Sequence, residues 1–137
     1  MNLQMAQLNL IVAWLWVVLG FGTGAVFGLF FQREDWLGGY GSFKRRLYRL
    51  GHISFFGLAV INLMFYFTVH SVVGSGATDS LPVVLASWGL VIGAVTMPVC
   101  CFVLAHRVHW RAPLVFTVPV SSLIAGSLFT LWEVITL

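Results

Sequence analysis

The residues able to do chemistry in this chain of 137 residues are few: four histidines, two adjacent cysteines, four acids and one asparagine within an apolar run. His52 and His106 are the most suggestive pair. Two neutral imidazoles facing each other from neighbouring helices hold the iron of a b-type haem. His109, three residues beyond His106, is an alternate ligand if that helix continues. His70 follows His52 by 18 residues, which is five helical turns or about 27 Å on one face. It has no second histidine at its own depth. A haem there would need Met5 or another subunit, and near Glu133 the ring could instead bond a quinone carbonyl. The plain alternative for all four is a hydrogen-bonding role at the membrane boundary, for His70 with water or Asp79.

Met97, Cys100, Cys101 and His106 are soft ligands of the kind copper takes. Methionine and cysteine at helical spacing also serve as core, and adjacent cysteines bridge only with strain, so no metal site is assigned. The acids Glu34, Asp35, Asp79 and Glu133 are all peripheral, whereas a proton- or cation-coupled transporter needs one in mid-membrane. There is no Ser-His-Asp set, no HExxH and no phosphate-binding loop ending in Lys. No catalytic activity of the chain on its own is expected.

The elements that must position these residues follow from composition. The chain is 60% hydrophobic and only 8% charged, against about 25% charged in soluble domains. That implies an all-α membrane protein. The apolar runs place four transmembrane helices at about 8–31, 52–73, 81–107 and 113–137, in a single integral-membrane domain over 1–137. The first run is too long for the core of a cleavable signal and reads as a retained span. Short connections make the arrangement an up-down-up-down bundle. The seven Lys and Arg residues fall in the first and third loops or at their edges. Those loops are therefore expected on the cytoplasmic side, with both termini on the other. A net charge of +3 spread over those boundaries does not suggest nucleic acid.

Between the spans, Phe43, Leu47, Tyr48 and Leu50 alternate with Lys44, Arg45, Arg46 and Arg49. This reads as a short helix in the headgroup plane that turns into a span at Gly51-His52. It would meet anionic lipid or a partner. Gly20, Gly24 and Gly28 form a double GxxxG on the first span, and Gly89 and Gly93 a small-xxx-small face on the third. Both suit close helix packing, inside the bundle or against another subunit. Asn62, near the middle of the second span, needs a hydrogen-bond partner on another helix. Pro98 is expected to kink the third, and Ser80 with Pro82 to start it.

In general shape such a bundle resembles the small four-span subunits of respiratory or photosynthetic complexes, and RLGHISFFGL resembles the bundle-edge histidine segments of membrane cytochromes. Three functions follow as expectations. The first is an accessory, structural subunit of a larger hetero-oligomeric membrane complex, in a bacterial inner membrane, contacting other membrane subunits and lipid and requiring no cofactor. The second is a b-type haem-binding electron-transfer subunit using His52 and His106. The third is a small channel or transporter.

Overall fold

The computed structural model describes residues 5–73, 80–107 and 112–136. Among them there is no strand, and four helices are long and apolar enough to cross a membrane. Helix α1 spans Met5–Phe30, α2 Phe43–Thr68, α3 Leu81–His106 and α4 Thr117–Ile135. A π-turn, Val69–Val73, continues α2, and 3₁₀ turns lie at Trp36–Gly38 and Ala112–Phe116. His109 lies outside the described residues, as does Asp79.

The starts of α2 and α3 are capped. Ser42 and Ser80 sit in extended conformation, and their hydroxyls accept the backbone N–H of Arg45 and Val83, which removes one orphan donor from each helix start. Pro82 occupies the first turn of α3, where no N–H is needed. Between α1 and α2 the chain turns through Leu37, Gly38 and Gly39, with φ of 56°, 84° and 96°. Three consecutive left-handed residues make the reversal tight, and two of them are the glycines that adopt this region without steric cost.

One element differs from the sequence expectation. The basic stretch is no separate surface helix, because α2 runs unbroken through Gly51 and His52. Gly51 is buried against the ring of Phe102, where an added Cβ would come within 2.9 Å. A side chain is thus excluded by packing, and the backbone needs no hinge. At 26 residues α2 is about 39 Å long, more than the roughly 30 Å of hydrocarbon. Its first two turns extend beyond the apolar layer.

The helices pack in sequence: α1 on α2, α2 on α3, α3 on α4, with α1 also touching α3. The core centres on Val12, Trp16, Phe55, Leu58, Val91 and Ala94, and continues through Ala6, Phe65, Val69, Val83 and Leu90. Helix α4 is peripheral and buries only Pro119 and Gly126.

The glycines divide into two groups. Gly89 works as expected: its absent Cβ would meet the Cα and N of Gly126 at 2.9 Å, so two backbones touch. Gly93 admits Leu123. On α1 the glycines admit rings instead of a helix backbone. Phe56 lies over Gly20 and His52 over Gly24, while Gly28 has nothing within 4 Å.

Inside lipid every buried backbone polar group needs a partner within the protein, and a proline in a helix interior deprives a carbonyl of its N–H. In α3, Pro98 cannot donate to Ala94, and the indole Nε1–H of Trp16 donates to that carbonyl at 3.0 Å. Pro119 lies in the first turn of α4, where no N–H is needed, and the Cys100 thiol donates at 3.4 Å to the Val115 carbonyl in the 3₁₀ turn before it.

Candidate functional site

Three polar side chains meet between α1, α2 and α3, toward the end of the bundle where α1 and α3 begin. Asn9, Asn62 and Ser87 are all fully buried. The amide of Asn9 donates to Asn62 Oδ1 at 2.8 Å, and Ser87 Oγ donates to Asn9 Oδ1 at 2.5 Å. Asn62 in turn donates to the Leu58 carbonyl of its own helix at 2.8 Å. Among the described residues no buried side-chain nitrogen or oxygen lacks a partner. Asn62→Ala is expected to leave the Asn9 amide only its long 3.5 Å bond to the Ser87 carbonyl and lower stability by about 1–3 kcal/mol, read as an earlier midpoint in an SDS-unfolding titration. The Asn9→Leu/Asn62→Leu pair should lose less than the sum of the two single changes, since it leaves no amide unpaired.

The second polar locus lies at the other end, where α1 finishes and α2 begins. Arg45 is only 2% exposed. Its guanidinium donates to the Phe31 carbonyl at 2.8 Å and the Arg33 carbonyl at 3.4 Å. Its planar face lies 4.7 Å from the Tyr40 ring centre and 5.3 Å from that of Trp36. Arg45 therefore ties the connecting loop to α2. Lysine has no planar fork for two carbonyls and two rings. Arg45→Lys is expected to loosen residues 32–42 nearly as much as Arg45→Ala does, seen as faster amide exchange there with α3 unchanged. Arg46 is exposed and Lys44 half-exposed.

The histidines go to separate partners. His52 is half-buried, with Nδ1 3.0 Å from Thr23 Oγ1 on α1 and its ring edge-on to Phe27 and Phe56. Thr23 Oγ1 also lies 2.8 Å from the Leu19 carbonyl. With the hydroxyl proton on that carbonyl, Thr23 accepts from His52 Nδ1–H, and Nε2 carries the lone pair. His106 is exposed, and its Nε2 lies 2.7 Å from the hydroxyl of Tyr48. The two imidazoles expected to face each other thus point to different neighbours, His52 to α1 and His106 to the Tyr48 ring. The nitrogen that His106 would offer iron is engaged. His70 is exposed and lies against Tyr66, ring centres 4.3 Å apart, while Glu133 accepts from Ser80 Oγ at 3.0 Å.

Cys100 and Cys101 are buried free thiols. Among the described residues no three His, Cys, Asp or Glu side chains gather as a metal group.

A cavity of about 310 Å³ opens beside His52, between α1 and the start of α2. Gly24, Phe27 and Gly28 form its α1 wall; Arg45, Tyr48, Arg49, His52 and Ile53 form the α2 wall, with Trp36 at its end. A second cleft of about 300 Å³, lined mainly by apolar residues such as Ile61, Met64, Leu90 and Leu131, separates α2 from α4. Neither was visible in the sequence, although the glycines that open the first one were. Comparisons with family profiles, with curated proteins and with solved structures give no match.

Proposed function

We propose that this chain is a small accessory subunit of a larger hetero-oligomeric complex in a bacterial inner membrane, serving respiratory or photosynthetic energy transduction. The observation that carries the reading is the closed polar core. Asn9, Asn62 and Ser87 bond to one another or to backbone carbonyls, so none of these three buried polar side chains is left over to meet a substrate or an ion at that end of the bundle. Large apolar side chains remain outside, including Trp14, Phe21 and Leu29 on α1 and Leu128, Trp132 and Ile135 on α4, surfaces that suit lipid and neighbouring subunits. Residue pairs such as Asn9 with Asn62, Gly24 with His52 and Gly89 with Gly126 support an up-down-up-down order. The distribution of the basic residues supports both termini on the non-cytoplasmic side.

A second reading is favoured by one observation. His52 bonds through Nδ1, and its Nε2, beside Gly24, has no hydrogen-bond partner among the described residues, the arrangement of a haem ligand oriented by its other nitrogen. In this electron-transfer version the opposite ligand comes from elsewhere in the complex. The visible spectrum of material extracted from native membranes separates the two. The accessory reading expects no b-type α-band in a stoichiometric complex. A reduced-minus-oxidised α-band that disappears in His52→Ala would overturn it in favour of the second. Ion or solute flux through liposomes holding the chain alone would overturn both in favour of a channel.

A further inference from the structure

The cavity between α1 and α2 has an unusual charge arrangement. Arg45 and Arg49 stand one helical turn apart on α2, and both guanidiniums lie over the single ring of Tyr40, at 4.7 and 5.0 Å. The hydrogen-bond acceptors given to Arg45 are carbonyl oxygens. Carbonyls and ring faces carry no formal negative charge, so two adjacent cations are held together by neutral groups. Like charges this close repel, and an anion between them and the surrounding water relieves that repulsion.

The rest of the cavity says what kind of anion. Its inner wall is largely apolar, made by Phe27, Ile53, the His52 ring that covers Gly24, and the bare backbone at Gly28. Gly28 has nothing within 4 Å, so a slot runs along α1 where a side chain would otherwise sit. Arg49 lies in the second turn of α2, at the basic end of a helix longer than the roughly 30 Å of hydrocarbon, a position that suits the headgroup boundary. A cation at the boundary above an apolar slot matches a charged headgroup above a chain. It does not match a free inorganic ion, which would gain nothing from the slot.

We propose that this groove binds one anionic phospholipid, its phosphate against Arg49 and an acyl chain along Phe27, Gly28 and Ile53. Arg45 adds positive potential from inside while keeping its loop contacts.

The test is titration of the delipidated protein with phosphatidylglycerol or phosphatidylcholine, bound lipid being counted by native mass spectrometry. One phosphatidylglycerol is expected to bind ahead of phosphatidylcholine. Arg49→Gln should weaken it about fivefold, the effect of one basic side chain at an anionic surface. Gly28→Leu projects into the slot from a position where an added Cβ meets nothing within 4 Å and should reduce binding at least as much, with the unfolding midpoint held or raised. Gly57→Leu, also with nothing within 4 Å and outside the cavity, should leave binding unchanged. Equal binding of the two lipids, or full binding by both Arg49→Gln and Gly28→Leu, overturns the proposal. Displacement of the lipid by millimolar inorganic phosphate overturns it too, in favour of a simple anion site. If Gly28→Leu does not fold, Arg49→Gln and the lipid comparison decide alone.

Discussion

Gly89→Ala is expected to loosen α4 from α3 while leaving the other three helices packed. The new methyl carbon would lie 2.9 Å from the Cα and N of Gly126 and from the Ser122 carbonyl. All three are backbone atoms, so no side chain can rotate away and the helices must separate. Overpacking of this kind costs about 1–3 kcal/mol. The effect concentrates on α4 because that helix buries only Pro119 and Gly126 and packs chiefly on α3. Hydrogen exchange in detergent should show faster amides over 117–135 with those of α1 unchanged. Gly22→Ala, where an added Cβ meets nothing within 4 Å, should be neutral or stabilising by up to about 1 kcal/mol, the helix preference of alanine over glycine. Equal behaviour of the two variants would show that α3 and α4 do not touch through Gly89.

Trp16→Phe is expected to produce the second large loss, and Pro98→Ala to diminish it. The indole N–H of Trp16 donates to the Ala94 carbonyl, which Pro98 leaves without its helical partner. Phenylalanine keeps an aromatic ring against Phe55, now 5.9 Å away between ring centres, but removes the donor. A buried carbonyl left unpaired costs about 1–3 kcal/mol. In the Pro98→Ala background the alanine N–H can reach Ala94, so the same Trp16→Phe change should cost less. A double-mutant cycle in SDS titrations measures the difference. Additive losses would show that the bond and the proline are unrelated.

These two devices show where sequence reading stops. Pro98 was legible as a helix irregularity, but not as the reason for a tryptophan donor on another helix. That pairing depends on which face of α1 meets α3. Asn62 was legible as a residue needing an interhelical partner. Asn9 was not, because it sits in the first turns of α1, where an amide reads as an ordinary boundary residue.

The histidines illustrate the same limit. Position along a helix follows from counting residues, and His106 does lie near the start of α2, on Tyr48. Rotation about the axis does not follow from counting, and it is rotation that sends His52 to Thr23. The basic stretch was legible as a boundary, yet Arg45 is consumed by the loop. A guanidinium among three aromatic rings and two loop carbonyls gains more inside than at the headgroups.

The central claim is that this chain is a building block of a membrane complex without redox chemistry of its own. Native mass spectrometry of the assembly extracted from its own membrane in mild detergent tests it most directly, because one spectrum reports partners and bound groups together. The account predicts a hetero-oligomer with this chain in fixed stoichiometry, and no haem mass that stays with the chain on dissociation. A chain that flies alone or only with copies of itself, or one that keeps a haem, would contradict it.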